Sequence, residues 1–315
     1  MADPVTQTPA AGDDESTRGF LFALTAYLLW GLLPIFMKAV AHIPSAEVVA
    51  HRVVWSVPIA GAVLLVLRRT ADFRLALRTP RVLAMAALTA ACITVNWGVY
   101  VWAIAAGRAV ETALGYYINP LVSIAMAAVL LREKLGVLQV VAVGLAALAV
   151  VILTVNAGGL PWVSLVLAFS FATYGFLRKT LPIGPSQGFF LEVLILSIPA
   201  ALYIAWLQWT GQGHFLPSRP ADLWLLLACG PVTAVPLLFY AFGAKLLRYS
   251  TIGIMQYIAP TMIFLIAVFA FKEPFGGVRA LAFVLIWTAL VIYTWPMIRG
   301  QLRQRRGAPA ASPGE

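Results

Sequence analysis

Charge is what this chain has least of. Asp, Glu, Lys and Arg make up 11% of its 315 residues, against about a quarter in an ordinary soluble domain, so water cannot solvate most of the chain. Long polar linkers are missing too: after the first 19 residues, apolar stretches follow one another with only short polar breaks. That excludes a string of soluble modules and leaves one compact membrane domain. Cysteine is rare. Cys92 and Cys229 both lie in apolar stretches without metal-ligand spacing, which leaves them as small apolar core residues and makes the redox compartment unreadable. The three histidines, His42, His51 and His214, make no ligand spacing such as HExxH, so no metal or cofactor is expected. No acidic residue falls near the centre of any apolar stretch. A proton-coupled antiporter usually needs one, so the coupling mechanism stays open.

What fills the chain is apolar, at 62% of residues. A bilayer core about 30 Å thick takes roughly 20 apolar residues per helix. The pattern predicts an all-α integral membrane protein of ten spans at approximately 20–40, 47–67, 82–105, 110–131, 136–155, 160–177, 188–209, 223–244, 251–271 and 278–298. The polar segment 1–19 and the Arg-, Pro- and Ala-rich tail 299–315 are expected to be disordered. The first apolar run is too long for a signal peptide and lacks a small-residue cleavage site, which predicts an uncleaved first span. Net charge is +10, but the positive residues sit at helix ends and in the tail, which argues for topology and against nucleic acid. Counted by alternate sides, sixteen Lys and Arg fall with the N-terminus and five opposite, with Arg52 inside a span. The bias predicts that both termini are cytoplasmic.

Sliding the chain against itself by 140 residues reveals a repeat. Arg108 meets Arg248, Tyr100 meets Tyr240, Tyr117-Ile118 meets Tyr257-Ile258, Pro120 meets Pro260, and Glu133 meets Glu273. The chain thus divides into two five-span halves, 20–155 and 156–298. An odd number of spans per half inverts the second half relative to the first, the architecture of many alternating-access carriers.

Polar and helix-breaking residues inside the spans narrow the search for a site. Pro120 and Pro260 sit in Tyr116-Tyr117-Ile118-Asn119-Pro120 and Gln256-Tyr257-Ile258-Ala259-Pro260. Each proline removes a donor from the carbonyl four residues back, at Tyr116 and Gln256. In hydrocarbon such carbonyls are tolerated where a neighbouring helix, water or solute satisfies them, so the pair marks either a substrate cavity with Tyr116, Tyr117, Asn119, Gln256 and Tyr257 or a plain kink. The third span offers Asn96, Trp97 and Tyr100, with Asn96 and Tyr100 four apart on one face, to orient a solute or to bond helices together. Pro231 and Pro236, with Thr233 between, predict a bent or broken eighth span. Arg52 stands about a turn and a half inside the second span, as a functional charge or as an anchor snorkelling to the interface. Glu192, opening the seventh, is either its partner or an interfacial carboxylate.

These stretches, with Ala26 to Pro34 (AYLLWGLLP), Ala50-His51-Arg52, Asn96-Trp97, Leu114 to Pro120 (LGYYINP), Arg178-Lys179, Thr233 to Pro236 (TAVP), Gln256 to Pro260 (QYIAP) and Glu273-Pro274, resemble the EamA division of the drug/metabolite transporters, and within it the RarD-type permeases. The likeness runs from about residue 18 to 298. It implies ten helices, cytoplasmic termini, a bacterial plasma-membrane location and export of small metabolites or drugs, with chloramphenicol as the solute commonly attached to the group. It supplies no substrate site, so the candidates rest on the residues themselves. A membrane-embedded scaffold, lipid-handling protein or enzyme is the alternative. Monomer and homodimer are both compatible with the sequence.

Overall fold

Helices carry the chain in the computed structural model, which describes residues 11–68, 70–130, 136–157, 159–180, 182–247 and 255–307; no strand occurs among them. Arg132, Glu133, Lys134 and Arg248, used in the charge and repeat arguments, lie outside these residues, as do 1–10 and 308–315. In chain order the helices are α1 (Ala11–Ala39), α2 (Ser45–Val66), the short α3 (Thr70–Leu77), α4 (Pro80–Ala105), α5 (Ala109–Leu130), α6 (Val137–Ala157), α7 (Trp162–Thr180), α8 (Pro185–Trp209), α9 (Pro220–Leu246), α10 (Ile258–Leu265) and α11 (Gly277–Gly307). Helix extends into both segments expected to be disordered, from Ala11 and to Gly307. The sequence is acidic at the first end and basic at the last, the order of charge that the helix dipole favours.

Among the described residues, six helices are long and apolar enough to cross a membrane: Thr17–Ala39, Ser45–Val66, Pro80–Ala105, Val137–Asn156, Ser186–Trp209 and Pro220–Tyr240. Trp162–Arg178, Ile258–Ala270 and Gly277–Tyr293 are shorter apolar helices. Part of the difference from the expected ten is physical. The chain turns at Gln256-Tyr257 before α10 starts, and α10 passes at Ile266–Ala270 into a π-helical turn. Large exposed apolar residues along α6, α8 and α11, such as Val151, Leu202 and Val291, suit lipid rather than water. Exposed Trp102, Trp162, Trp206, Trp209 and Trp224 gather where α4 and α8 end and α7 and α9 begin, as tryptophans do at a membrane interface.

Packing pairs α1 with α9, α4 with α7, α5 with α7, α1 with α10, α2 with α8 and α9, α5 with α10, and α6 with α11. Apolar side chains are equally content in lipid, so close backbone approach has to hold such helices together. Gly230 and Gly115 are among the glycines that permit it. A Cβ on Gly230 of α9 would collide with the Trp55 carbonyl of α2, and one on Gly115 of α5 would meet the Ser164 carbonyl oxygen of α7 at 2.8 Å. Of the bend or break expected there, no break occurs: α9 runs through Gly230, Pro231 and Pro236 as one helix, with Pro231 exposed and Pro236 buried.

Candidate substrate site

Because Gly230 lets α2 and α9 touch, the eighth residue of α2 reaches across to α9. Arg52 is 3% exposed, which rules out the snorkelling anchor: its charged head is inside the protein. Its Nε donates to Thr233 Oγ1 at 3.0 Å. Thr233 gives its own hydroxyl hydrogen to the Cys229 carbonyl at 2.8 Å, so a lone pair is left to face the guanidinium. The guanidinium carbon lies 4.9 Å from the centre of a Trp97 ring, and Cys229, Tyr100 and Tyr116 are the titratable side chains that feel its charge. Arg52 Nη1 and the Tyr100 hydroxyl are buried and find no hydrogen-bond partner among the described residues.

Behind this cluster Asn96 joins three helices. Its Nδ2 donates to the Leu167 carbonyl at 3.1 Å and to Ser170 Oγ at 2.9 Å on α7, and its Oδ1 accepts from the Tyr116 hydroxyl of α5 at 3.1 Å. Three partners for one amide identify a buried clip. The Tyr116 ring, held by that bond, lies 6.0 Å from both Tyr100 and Phe171.

The proline-marked residues do not all join this cluster. Tyr117 and Tyr257 stack at 6.5 Å and 17°, the Tyr117 hydroxyl meets Thr261 Oγ1 at 2.6 Å, and Thr261 bonds back to the Tyr257 carbonyl. With Trp287, Leu290, Val291 and Trp295 these side chains line an open groove of about 420 Å³. Gln256 is half-buried in the turn before α10, while Asn119 is buried with an unpartnered Oδ1. Pro120 lies within α5, whereas Pro260 is the third residue of α10. The two matched prolines therefore occupy unlike positions.

Glu192 is not the partner of Arg52. It is 2% exposed, accepts from Thr89 at 2.7 Å and Tyr174 at 3.1 Å, and pairs with Arg178 at 3.4 Å. The α8 face that bears it packs toward α4 and α7, so an acid that the sequence left unassigned is satisfied there.

Polar contacts that the sequence did not suggest cluster where α1 ends and α2, α5 and α9 begin. His42 meets Asp222 at 2.7 Å. Glu47 accepts from the backbone N–H of His214 at 2.7 Å and contacts its Nδ1 at 2.8 Å. Glu273 accepts the backbone N–H groups of Ala109 and Val110 at 2.7 and 2.9 Å, capping the start of α5. Burial pushes the Glu273 carboxyl up from its ordinary pKa, against the pull of those two N–H groups. Each contact joins a residue before 155 to one after it. Their sequence signals are the match of Glu273 to Glu133 and the place of Glu273-Pro274 in the family resemblance. Thr233, which completes the Arg52 cluster, stands out in the sequence only between prolines and in the TAVP stretch.

Comparison with known proteins gives this geometry a context. The EamA-like transporter family matches residues 17–155. Protein RarD of Streptomyces exfoliatus is 43% identical over 96% of this chain and 96% of its own. An uncharacterised transporter of Pseudomonas aeruginosa is 39% identical over 91% of this chain and 96% of its own. A solved crystal structure superposes on 90% of this chain and 98% of its own, with a TM-score of 0.56 and 20% identity. That last likeness is one of fold alone.

Proposed function

Because the chain belongs to the EamA-like transporter family, and within it to the RarD-type permeases, we propose that it moves a small solute by alternating access, held against Arg52, Trp97, Tyr100, Tyr116 and Thr233. As a multi-pass membrane transporter it works in the bacterial inner membrane. The single observation that carries the site is the Arg52 cluster: a buried charge and a buried hydroxyl, each with an unpaired donor, between helices from both parts of the chain. An intramembrane charge is expensive, and a solute that completes its hydrogen bonds is the most direct reason to keep one. Tyr117, Asn119, Gln256 and Tyr257 lie on the further course of the solute, toward the α5, α10 and α11 groove, and Asn96 positions Tyr116.

Two inverted five-helix repeats, 20–155 and 156–298, supply the moving parts. Exchange of the halves turns the pair α1 and α9 into α7 and α4, and the pair α5 and α7 into α10 and α1; α2 with α8, α5 with α10 and α6 with α11 map onto themselves. Every one of those pairs packs. Tyr117 and Tyr257, equivalent under the 140-residue offset, stack on each other, as residues beside a two-fold axis would. These pairings support the repeat. Pro120, Pro260, Pro231 and Pro236 are the hinges of the exchange. Both termini are cytoplasmic by the charge bias, and the direction is export of small metabolites or drugs. Neither nucleic acid nor a cofactor takes part, and the unit is a monomer or homodimer.

Proteoliposomes test the reading. Flux of a labelled metabolite mixture is expected above that of protein-free vesicles, with labelled chloramphenicol as a neutral comparison. Arg52→Leu should insert normally, since Leu favours insertion, and lose at least about tenfold in rate, as the loss of a buried charged contact to solute implies. A variant that inserts and carries solute at the parental rate removes Arg52 from the site.

A further inference from the structure

We propose that the Arg52 cluster selects anions: a small solute bearing a carboxylate or comparable oxyanion on an apolar, ring-like body. This rests on the reading above in taking the cluster as the solute site.

Arginine stays protonated in proteins, so the charge at Arg52 is permanent. It lies about 10 Å along α2 from the helix start at 1.5 Å per residue. No ion pair among the described residues involves it. The buried carboxylates are each engaged elsewhere: Glu47 by His214, Glu192 by Thr89, Tyr174 and Arg178, and Glu273 by the N–H groups of Ala109 and Val110. What remains around the guanidinium is one hydroxyl lone pair, from Thr233, and the face of Trp97. A cation–π contact and one neutral hydrogen bond offset only part of the cost of burying a full charge.

The unmet groups agree in kind. Arg52 Nη1 can only donate, and the Tyr100 hydroxyl brings a hydrogen with no acceptor. The Thr233 hydrogen is already given to Cys229, and the Tyr116 hydrogen to Asn96. Donors therefore exceed acceptors around a buried positive charge that no ion pair among the described residues compensates. An oxyanion meets both needs, and the planar fork of arginine suits a carboxylate. A cation would meet like charge, and a neutral amide would leave the charge uncompensated. Trp97, Tyr100 and Tyr116 provide aromatic faces for the apolar body.

The test uses the purified full-length chain in neutral detergent and four probes: benzoate, benzamide, benzylamine and inorganic phosphate. Benzoate should raise the Tm in a concentration-dependent way, phosphate less, and the amide and amine not at all. Arg52→Gln should weaken the benzoate response by about 30-fold or more, and Tyr100→Phe by a smaller factor. Should Arg52→Gln fail to fold, Arg52→Lys, which keeps the charge and loses the fork, and Tyr100→Phe carry the decision through the same weakening. Equal stabilisation by benzamide, an undiminished benzoate response in the Arg52 variants, or no response to either anion in the millimolar range overturns the proposal. Flux separates it from the transport reading. Arg52-dependent anion binding without anion flux leaves the anion site standing and removes transport, whereas neutral-solute flux indifferent to Arg52→Gln does the reverse.

Discussion

At the scale of single residues, the membrane interior makes each polar side chain answerable for its partners, and Asn96 shows how fully that can be met. Its amide serves Leu167, Ser170 and Tyr116 at once, so its removal takes a bond from each of three groups on two other helices, although Ser170 still donates to the Leu167 carbonyl. Hydrogen bonds between membrane helices average about 0.6 kcal/mol and reach about 1.7 kcal/mol. Asn96→Ala should therefore lower stability by about 1–2 kcal/mol, seen as a fall in Tm in detergent. It should also lower flux indirectly, because Tyr116 loses the bond that aims its ring at the Arg52 cluster. Tyr116→Phe, which removes only one of the bonds, should cost less than half as much. A Tm unchanged in Asn96→Ala would mean that the amide is dispensable to the packing of α4 on α7. The sequence marked Asn96, Arg52 and Glu192 as the polar residues to explain, and all three are buried. It could not say which partner each would find. Residues on a helix turn by about 100° each, so a boundary error of one or two residues points a side chain at a different neighbour. Arg52 accordingly meets Thr233, 181 positions away, and not Glu192.

At the scale of elements, the two matched prolines differ in what they interrupt. Pro120 is interior to α5 and removes a donor from a continuous helix; Pro260 falls in the first turn of α10, where the N–H would have little to bond with in any case. Pro120→Ala should hold or raise the Tm while flux falls, because α5 gains a hydrogen bond and loses its hinge. Pro260→Ala should change the Tm less. Wild-type flux in both variants would remove the prolines from the mechanism. The contact of α2 with α9 offers a second test. A methyl on Gly230 would occupy the space of the Trp55 carbonyl, so Gly230→Ala should force the helices apart, cost about 1–3 kcal/mol of stability and stretch the bond from Arg52 to Thr233. Unaltered Tm and flux would show that the crossing has slack. Proline marked α5 and α10 from the sequence because its chemistry is local. The same reasoning expected α9 to bend or break around Gly230-Pro231 and Pro236, and it does not break, because neighbouring helices can hold a proline-containing helix together.

At the scale of the whole molecule, the 140-residue offset was legible in the sequence because the matched residues keep one spacing, and it set Tyr117 against Tyr257. Their stacking needed the three-dimensional packing. The contacts between the two parts of the chain had almost no sequence signal, since His42, Glu47, His214 and Asp222 sit at helix ends where polar residues are ordinary. Yet they gather on one end of the protein, along with the Glu273 cap on α5. If the halves rock, this end must open, and each of those bonds must break while solute passes. His42 is exposed in its pair with Asp222, and an exposed pair is individually weak, about 0–1 kcal/mol, which suits a contact that opens and closes in each cycle, whereas Glu47 and Glu273 are buried. A covalent bridge in their place should stop the cycle. In a background with Cys92 and Cys229 replaced by Ala, His42→Cys with Asp222→Cys can be joined by a short, reducible methanethiosulfonate cross-linker. Flux in proteoliposomes should fall to the protein-free level after bridging and return on reduction, while either single cysteine treated alike should keep its rate. Full flux through the bridged protein would mean that this end does not open during transport, and that the solute reaches Arg52 by another course, such as the groove beside Tyr117, Tyr257 and Trp287.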